Sequence, residues 1–425
     1  MQRLPPKDFR PPEGFPKAEL SRKSSEAKLR SVLVPEAHAL GMLAAIRSLG
    51  RAGYRVHAAS PRPDAIGFAS RYCTTRARCP AYDDPAYAAW ARGYVADHGI
   101  AAVVPGGAFL LAVEPCFDEF RHLLPLVQDR RIVYRALSKS EVFEAFASAP
   151  QDLRLLDHHP PARVLDRDTP SLSTADAACL GATLYLKADA RHGPPGGDDL
   201  LCGPLRSAEA APAVREALGR YRKVLLQGAV TGRQAGVSLL MGARGEVLAS
   251  NCFVDCHLEP TRRGTMSLRR TWHNPGLVED AVRRLRHLGW QGAAMLEYRV
   301  RDGDGGFDFI ELNPRNWQSL HLDLLAGVDF PRLQMAWFEG QPRTSPPIYR
   351  TVTCGDLWPG ELSRMLEIWR SPRFAMKARL RETAAFLARL LNPTIKSDYA
   401  FPGDRTLYWR RVGQVIRGWL RAADR

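Results

Sequence analysis

Lysine is scarce in this chain. Of its sixty basic residues nine are lysine, and four of those nine lie in the first thirty positions. Only Lys139, Lys187 and Lys223 fall between residues 29 and 376. Arginine supplies positive charge elsewhere, so the position of an internal lysine carries information. Gly-x-Gly-x-x-Gly is missing, which removes the usual dinucleotide fingerprint. No Cys-x-x-Cys pair occurs among the eight cysteines, so neither a zinc ribbon nor a redox dithiol is expected. "CFVDCH" (Cys252, Cys256, His257) lacks a second ligand pair and is a poor metal site. The first thirty residues contain no apolar leader; a cytoplasmic protein with reduced, buried thiols is the expectation. The longest mostly apolar run, "AAVVPGGAFLLAV", is too short to span a bilayer and is broken by Pro-Gly-Gly. No RNA-recognition motif, zinc finger or helix-turn-helix pair stands out, so nucleic acid is not an expected partner.

What is present is a folded-protein composition. The 425 residues are 45% apolar and 25% charged, with net charge +15, a length for about two to four domains. The positive balance favours anionic partners such as phosphates or a membrane surface. Residues 1–30, rich in Pro and charge, read as a flexible tail. Residues 31–135 alternate short apolar strands with helical periods and read as an open α/β domain. Residues 136–340 follow with "SKSEVFEAFASA" as a Ser-capped helix, the strands "TLYLKAD" and "KVLLQGAV", and the Gly/Pro-rich loop "ARHGPPGGDDLLCG" between those strands. Residues 341–425 change character, with sixteen basic against seven acidic residues in amphipathic helical patterns that include Trp358, Trp369, Trp409 and Trp419. Such helices suit either packing on the body of the protein or peripheral contact with an anionic membrane or a lipid-linked substrate, at the inner membrane surface.

The sharpest signal is "MLEYRVRDGDGGFDFIELNPRNWQSLHLDLLAGVDFP". Two strands flank an Asp/Gly turn, a hairpin pattern. With the turn centred on Asp304, Glu297 lies opposite Glu311, and Asn313 shares its face because side chains alternate with period two. The same alternation predicts Phe307 and Phe309 on that face. Two facing carboxylates repel. With an amide oxygen beside them they suit Mg²⁺, a hard ion, and Arg315 follows at the position for a bound phosphate.

Glu297, Glu311, Asn313 and Arg315, with the "aGvd.p" helix after them, resemble the metal-binding core of the ATP-grasp superfamily. The resemblance implies an α/β ATP-grasp fold at 136–340, an N-terminal open α/β domain before it and a helical C-terminal extension after it. A nucleotide lid is implied at about 180–232. It matches Lys139, near the start of a helix, and Lys187, at a strand end before a glycine loop, to the two nucleotide-site lysines. Gly193, Gly196 and Gly197 match the loop that closes on phosphates, and Gln227 with Val230 the strand that reads adenine. Glutamine stands where the family often has an acid, and Pro194 and Pro195 interrupt the loop. Lys223 reads as a solvated charge.

The implied cofactors are ATP and Mg²⁺, with Mn²⁺ as a substitute ion. The implied activity is ligation of a small carboxylate to an amine or thiol through an acyl phosphate, releasing ADP and phosphate within a biosynthetic pathway. Arg315 and Lys187 would supply catalytic charge. "SLRRTWHNP" offers Arg269 and Arg270 as carboxylate clamps, with Arg270 taken as the catalytic one, alongside Trp272 and His273. Asn316 and Trp317 are candidates for the acceptor pocket, and His158–His159 for an exposed loop. Two other readings are a kinase of the same fold acting on a hydroxyl, and a non-catalytic nucleotide-binding protein docking on membrane or nucleic acid through its basic C-terminal region.

Overall fold

In the computed structural model, residues 30–168, 172–194, 197–258, 266–303, 305–341, 349–410, 412–413 and 417 are described. The tail expected at 1–30, apart from Arg30, lies outside them, as do Gly196, Pro195 and Trp419.

Four short apolar runs, β1 (Ser31–Val34), β2 (Arg55–Ser60), β3 (Thr75–Arg78) and β4 (Ile100–Val103), form a parallel sheet in the order β3-β2-β1-β4. Val32, Leu33 and Val34 are fully buried, as expected where helices cover both faces of a parallel sheet. The helix Leu40–Arg51 returns the chain between β1 and β2. Gly41 lets it lie against the loop after the acidic hairpin, since a Cβ there would stand 2.5 Å from the Trp317 carbonyl oxygen.

The second sheet is small and antiparallel. It contains β5 (Ala162–Asp166), β6 (Thr183–Ala188), β7 (Leu200–Arg206) and β8 (Lys223–Gly228) in the order β5-β8-β6-β7. Leu184, Leu186, Val224 and Leu226 pack under the helix Ser207–Arg220 through Ala210, Val214 and Ala217. Alternation therefore puts Lys187 and Gln227 on the opposite face. Lys223, expected to be solvated, pairs with Glu144 at 2.9 Å.

The largest sheet has seven strands: β9 (Arg233–Met241), β10 (Val247–Leu258), β11 (Met266–Trp272), β12 (Gly292–Val300), β13 (Phe307–Asn313), β14 (Thr353–Gly355) and β15 (Ile395–Ser397). Their order is β13-β12-β9-β10-β11-β14-β15. Ala235, Val237, Leu239, Leu296 and Tyr298 face a core shared with the helix Pro275–Leu288. Leu240, Ala293, Met295 and Phe253 face a second core with Trp317, Leu320 and Phe330. The C-terminal region carries the expected helices, Leu362–Arg370 and Met376–Leu391. It also supplies β14 and β15 to the large sheet, which periodicity over three residues could not reveal.

Two buried ion pairs fasten that region. Arg269 grips Asp398 with both terminal nitrogens, at 2.5 and 3.0 Å. Arg47, on the first helix, donates to Asp404 at 2.9 Å and to the carbonyl oxygens of Asp398 and Tyr399. All eight cysteines are free; Cys79, Cys252 and Cys354 are buried, but Cys179 is exposed, against the expectation.

Gly236, mid-β9, pairs with Glu297 on one side and Phe253 on the other. A Cβ would sit 2.2 Å from the Phe253 ring. Gly236→Ala is expected to destabilise by about 1–3 kcal/mol through overpacking, measurable by denaturant unfolding.

Candidate active site

Glu297 and Glu311 are directly paired across β12 and β13, with Asn313 opposite Met295. Toward the turn the pairing is Tyr298 with Phe309, Arg299 with Asp308 and Val300 with Phe307, one residue out of step. Ile310 is the extra residue, a β-bulge. It reverses the parity of the distal strand, so Phe307 and Phe309 lie on the face opposite Glu311. They pack there with Tyr298, which corrects the alternation expected from sequence. The bulge has a partner: the His158 carbonyl accepts from the Phe309 N–H at 2.6 Å. His158 packs at a tilt on Phe307 with ring centroids 4.2 Å apart, and His159 meets Phe143 and Phe309. The histidine pair is therefore a packed wedge, not an exposed loop, and burial holds His159 down to about 4.

The acid face is electrostatically loaded. Gln234 Nε2 donates to Glu297 at 3.0 Å, and Asn313 Nδ2 donates to Glu311 at 3.1 Å. Burial, and next the charge of Glu311, push Glu297 up to about 8. Burial also works to raise Glu311, but Lys139, Lys187, the Asn313 amide and Arg315 outweigh it and keep Glu311 ionised. The pair thus holds one proton between two acids at neutral pH. A divalent cation fits this donor set: it would replace that proton and take Asn313 through its amide oxygen, an end-for-end turn of the side chain. "CFVDCH" gives no comparable group, because Cys252 enters the core and His257 Nδ1 pairs with Glu361 at 3.0 Å.

Two of the three internal lysines, Lys139 and Lys187, come within electrostatic reach of Glu311. Lys139 opens the helix Lys139–Ala147, whose cap Ser138 accepts from the Glu141 N–H. Its ammonium lies 2.7 Å from Asp199 and 3.3 Å from Asp189. Burial opposes its charge, yet Glu311, Asp189 and Asp199 hold it protonated. Lys187, at the end of β6, donates to Gln227 Oε1 at 2.7 Å. Burial lowers its pKa by more than Glu311 and Glu297 restore. Gln227 Oε1 is therefore engaged by Lys187, while its Nε2 has no hydrogen-bond partner among the described residues. Val230 is half-buried, just before β9.

The described residues of the loop between β6 and β7 bond to one another. Asp199 accepts from the Ala190 N–H at 2.8 Å, and Gly197 donates to the Pro194 carbonyl at 2.9 Å. Gly193 lies against Tyr221, where a Cβ would come within 2.8 Å of the ring. Arg315 is exposed beside Gly107, and its charge lowers the pKa values of Glu311 and Asp199.

Beside the acids is a cavity of about 150 Å³. Phe253, Met266, Met295 and Trp317 form its apolar side, and Arg269 and Arg315 its cationic side. Trp317 also donates to buried Asp323 at 2.7 Å. Asn316 instead turns toward Met42, its amide nitrogen 3.8 Å from the sulfur. Arg270 pairs with Val254 and is exposed on the other face of β11, so the strand brings Arg269 to the acids and not Arg270. Trp272 and His273 lie near Tyr349, away from the cavity. Sequence reasoning missed Gln234, whose only signal was strand parity, and Asp398, whose tie to Arg269 spans 129 residues.

No protein-family model and no curated protein matches the chain. Solved structures do match it. Biotin carboxylase from Campylobacter jejuni, in a β-γ-ATP complex, aligns with TM-score 0.55 and 18% identity over 76% of this chain and 74% of that one. N5-carboxyaminoimidazole synthetase from Staphylococcus aureus, complexed with ADP, aligns with TM-score 0.55 and 11% identity over 76% and 81%. L-amino acid ligase from Bacillus licheniformis gives TM-score 0.50 and 17% identity over 78% and 80%.

Proposed function

Since the chain has the ATP-grasp fold, we propose that it is an ATP-dependent ligase joining a small carboxylate to an amine through an acyl phosphate. The observation that carries this reading is the Glu297–Glu311 pair, with Asn313 beside it and the charges of Lys139 and Lys187 both directed at Glu311. The fold neighbours include a carboxylase and two enzymes named as a synthetase and a ligase, which supports the same class of chemistry.

A carboxylate is a poor electrophile until phosphorylated. Its oxygen attacks the γ-phosphorus of ATP, the bond to the bridging oxygen breaks, and ADP leaves. The amine then attacks the acyl carbon, and inorganic phosphate carries away the bonding pair. Glu297, Glu311 and Asn313 would hold Mg²⁺, which would offset the negative charge of the transferring phosphoryl group. Lys139, Lys187 and Arg315 add fixed positive charge around the transferring group. Asp189 and Asp199 now occupy the Lys139 ammonium, standing in for phosphate oxygens; nucleotide binding would displace Asp199 and reorder the 190–199 loop. That loop would then exclude water, which matters because acyl phosphates hydrolyse. The 150 Å³ cavity beside the acids takes the acceptor acid, its apolar wall suiting a compact side chain and Arg315 its carboxylate. Gln227 would turn from Lys187 to the adenine edge near Val230.

The test begins with thermal unfolding in Mg²⁺, in ATP and in both. Native-state binding raises the melting temperature by mass action, and the two together are expected to stabilise more than the sum of each alone. Acid–amine pairs are then screened for ADP and phosphate released in equal amounts. ADP formed without phosphate would indicate a kinase. No response to millimolar Mg²⁺ with ATP removes the reading.

A further inference from the structure

The helix Met376–Leu391 carries an apolar stripe that no described residue covers. Met376, Leu380, Leu387 and Leu391 are 55, 57, 52 and 83% exposed. At about 100° per residue they fall within roughly 60° of one another. Ala384 and Ala388 are exposed on the same side, and Phe374 extends the stripe at its start. A surface helix ordinarily turns its apolar stripe inward. Here the inward side has its own anchor, Phe386, packed on Trp358 with ring centroids 6.0 Å apart.

The charges are sorted as well. The exposed ionisable side chains of this helix are Lys377 and Arg381, with exposed Arg373 before it and Lys396 after it. Its one acid, Glu382, faces the other way, bonded to Arg364 and, at 2.6 Å, to Arg389. The outward face is therefore apolar and cationic, with no acid among its members.

We propose that this face docks on the surface of an anionic lipid bilayer. The helix lies flat at the boundary of headgroups and acyl chains, with the leucines and Met376 inserted and Lys377, Arg381 and Arg373 on lipid phosphates. Charge selects the occupant. A second copy of the chain would bring the same cationic border with no outward acid to pair it, whereas an anionic bilayer offers an apolar phase bordered by negative charge. Among the described residues no helix is long and apolar enough to cross a membrane, so the contact is peripheral.

The test mixes the full chain with phosphatidylcholine vesicles and with vesicles containing about one-third phosphatidylglycerol, and reads binding by flotation. The protein is expected to float with the anionic vesicles only, and to be released at about 0.5 M salt. The triple variant Leu380→Ser, Leu387→Ser, Leu391→Ser and the double variant Lys377→Glu, Arg381→Glu are each expected to bind about tenfold less or weaker still. The melting temperature and its response to Mg²⁺ with ATP stay unchanged in the double variant, whose side chains project from the fold, so it carries the test should the triple variant prove unstable. Absence of flotation by the wild type, or wild-type flotation by both variants, overturns the proposal. So does a concentration-dependent dimer in sedimentation that the triple variant abolishes, since the face would then be a self-interface.

Discussion

Glu311→Gln is expected to reduce ADP formation by about a hundredfold to a thousandfold, the scale of losing one preorganised charge at a transferring group. The joint thermal response to Mg²⁺ and ATP should disappear with it. Stability in the absence of ligand should change little, because the lost attraction of Lys139 and Lys187 for Glu311 is offset by the relief of Glu297. Glu311 faces Glu297 across the strands, and the repulsion between them is part of what pushes Glu297 up to about 8. A glutamine keeps the shape and can still accept from Asn313, while the repulsion is gone. Glutamine also leaves Lys139 its other acids, Asp189 and Asp199. Loss of turnover with an equal or raised melting temperature distinguishes a functional acid pair, held at some cost in stability, from a structural one. A variant that lost activity and unfolded together would count against the assignment.

The second large effect belongs to Asp398. Asp398→Ala is expected to destabilise the fold by about 3–5 kcal/mol, because it leaves the fully buried Arg269 guanidinium without its carboxylate. Burial works to raise the Asp398 pKa, but the charge and hydrogen bonds of Arg269 outweigh it and hold it below its ordinary value of 3.8. An acid depressed in the folded state contributes stability above its unfolded pKa and loses it as pH falls through the folded one. The wild type should therefore lose this contribution below about pH 4, and Asp398→Asn should flatten that acid limb in denaturant titrations. Arg269 also lines the cavity beside the acids. Loosening it should raise KM for the acceptor acid more than KM for ATP, a split that global destabilisation alone would not produce.

The sequence determines a residue's place only where the determinants of that place are local. Lys139 and Lys187 were legible because lysine is rare here and because the family resemblance separates them from Lys223; the charges of both act on Glu311. Glu297 and Glu311 were legible because a hairpin turn sets their pairing within fifteen residues. The side taken by Phe307 and Phe309 was not, because a carbonyl from His158 stabilises the bulge that reverses their parity. The choice between Arg269 and Arg270 failed for a similar reason. Two adjacent arginines on a strand point to opposite faces, and which one meets the acids depends on pairing with β10, irregular at Asp255 and His257. Strands β14 and β15 are three residues each, too short for any period, and exist because a sheet edge was there to receive them.

Alternation and turn chemistry, which act over a few positions, were enough by themselves to determine the α/β character, the acidic hairpin and the amphipathic C-terminal helices, while the lysine pair was singled out by the family resemblance. Only the tertiary structure decided which arginine enters the cavity, that Asp398 holds it, and that the leucines of Met376–Leu391 face outward. Those outcomes depend on strand register, on the Arg269–Asp398 tie across 129 residues and on which helix face meets Trp358 and Arg364, and local sequence carries no energy term for any of them.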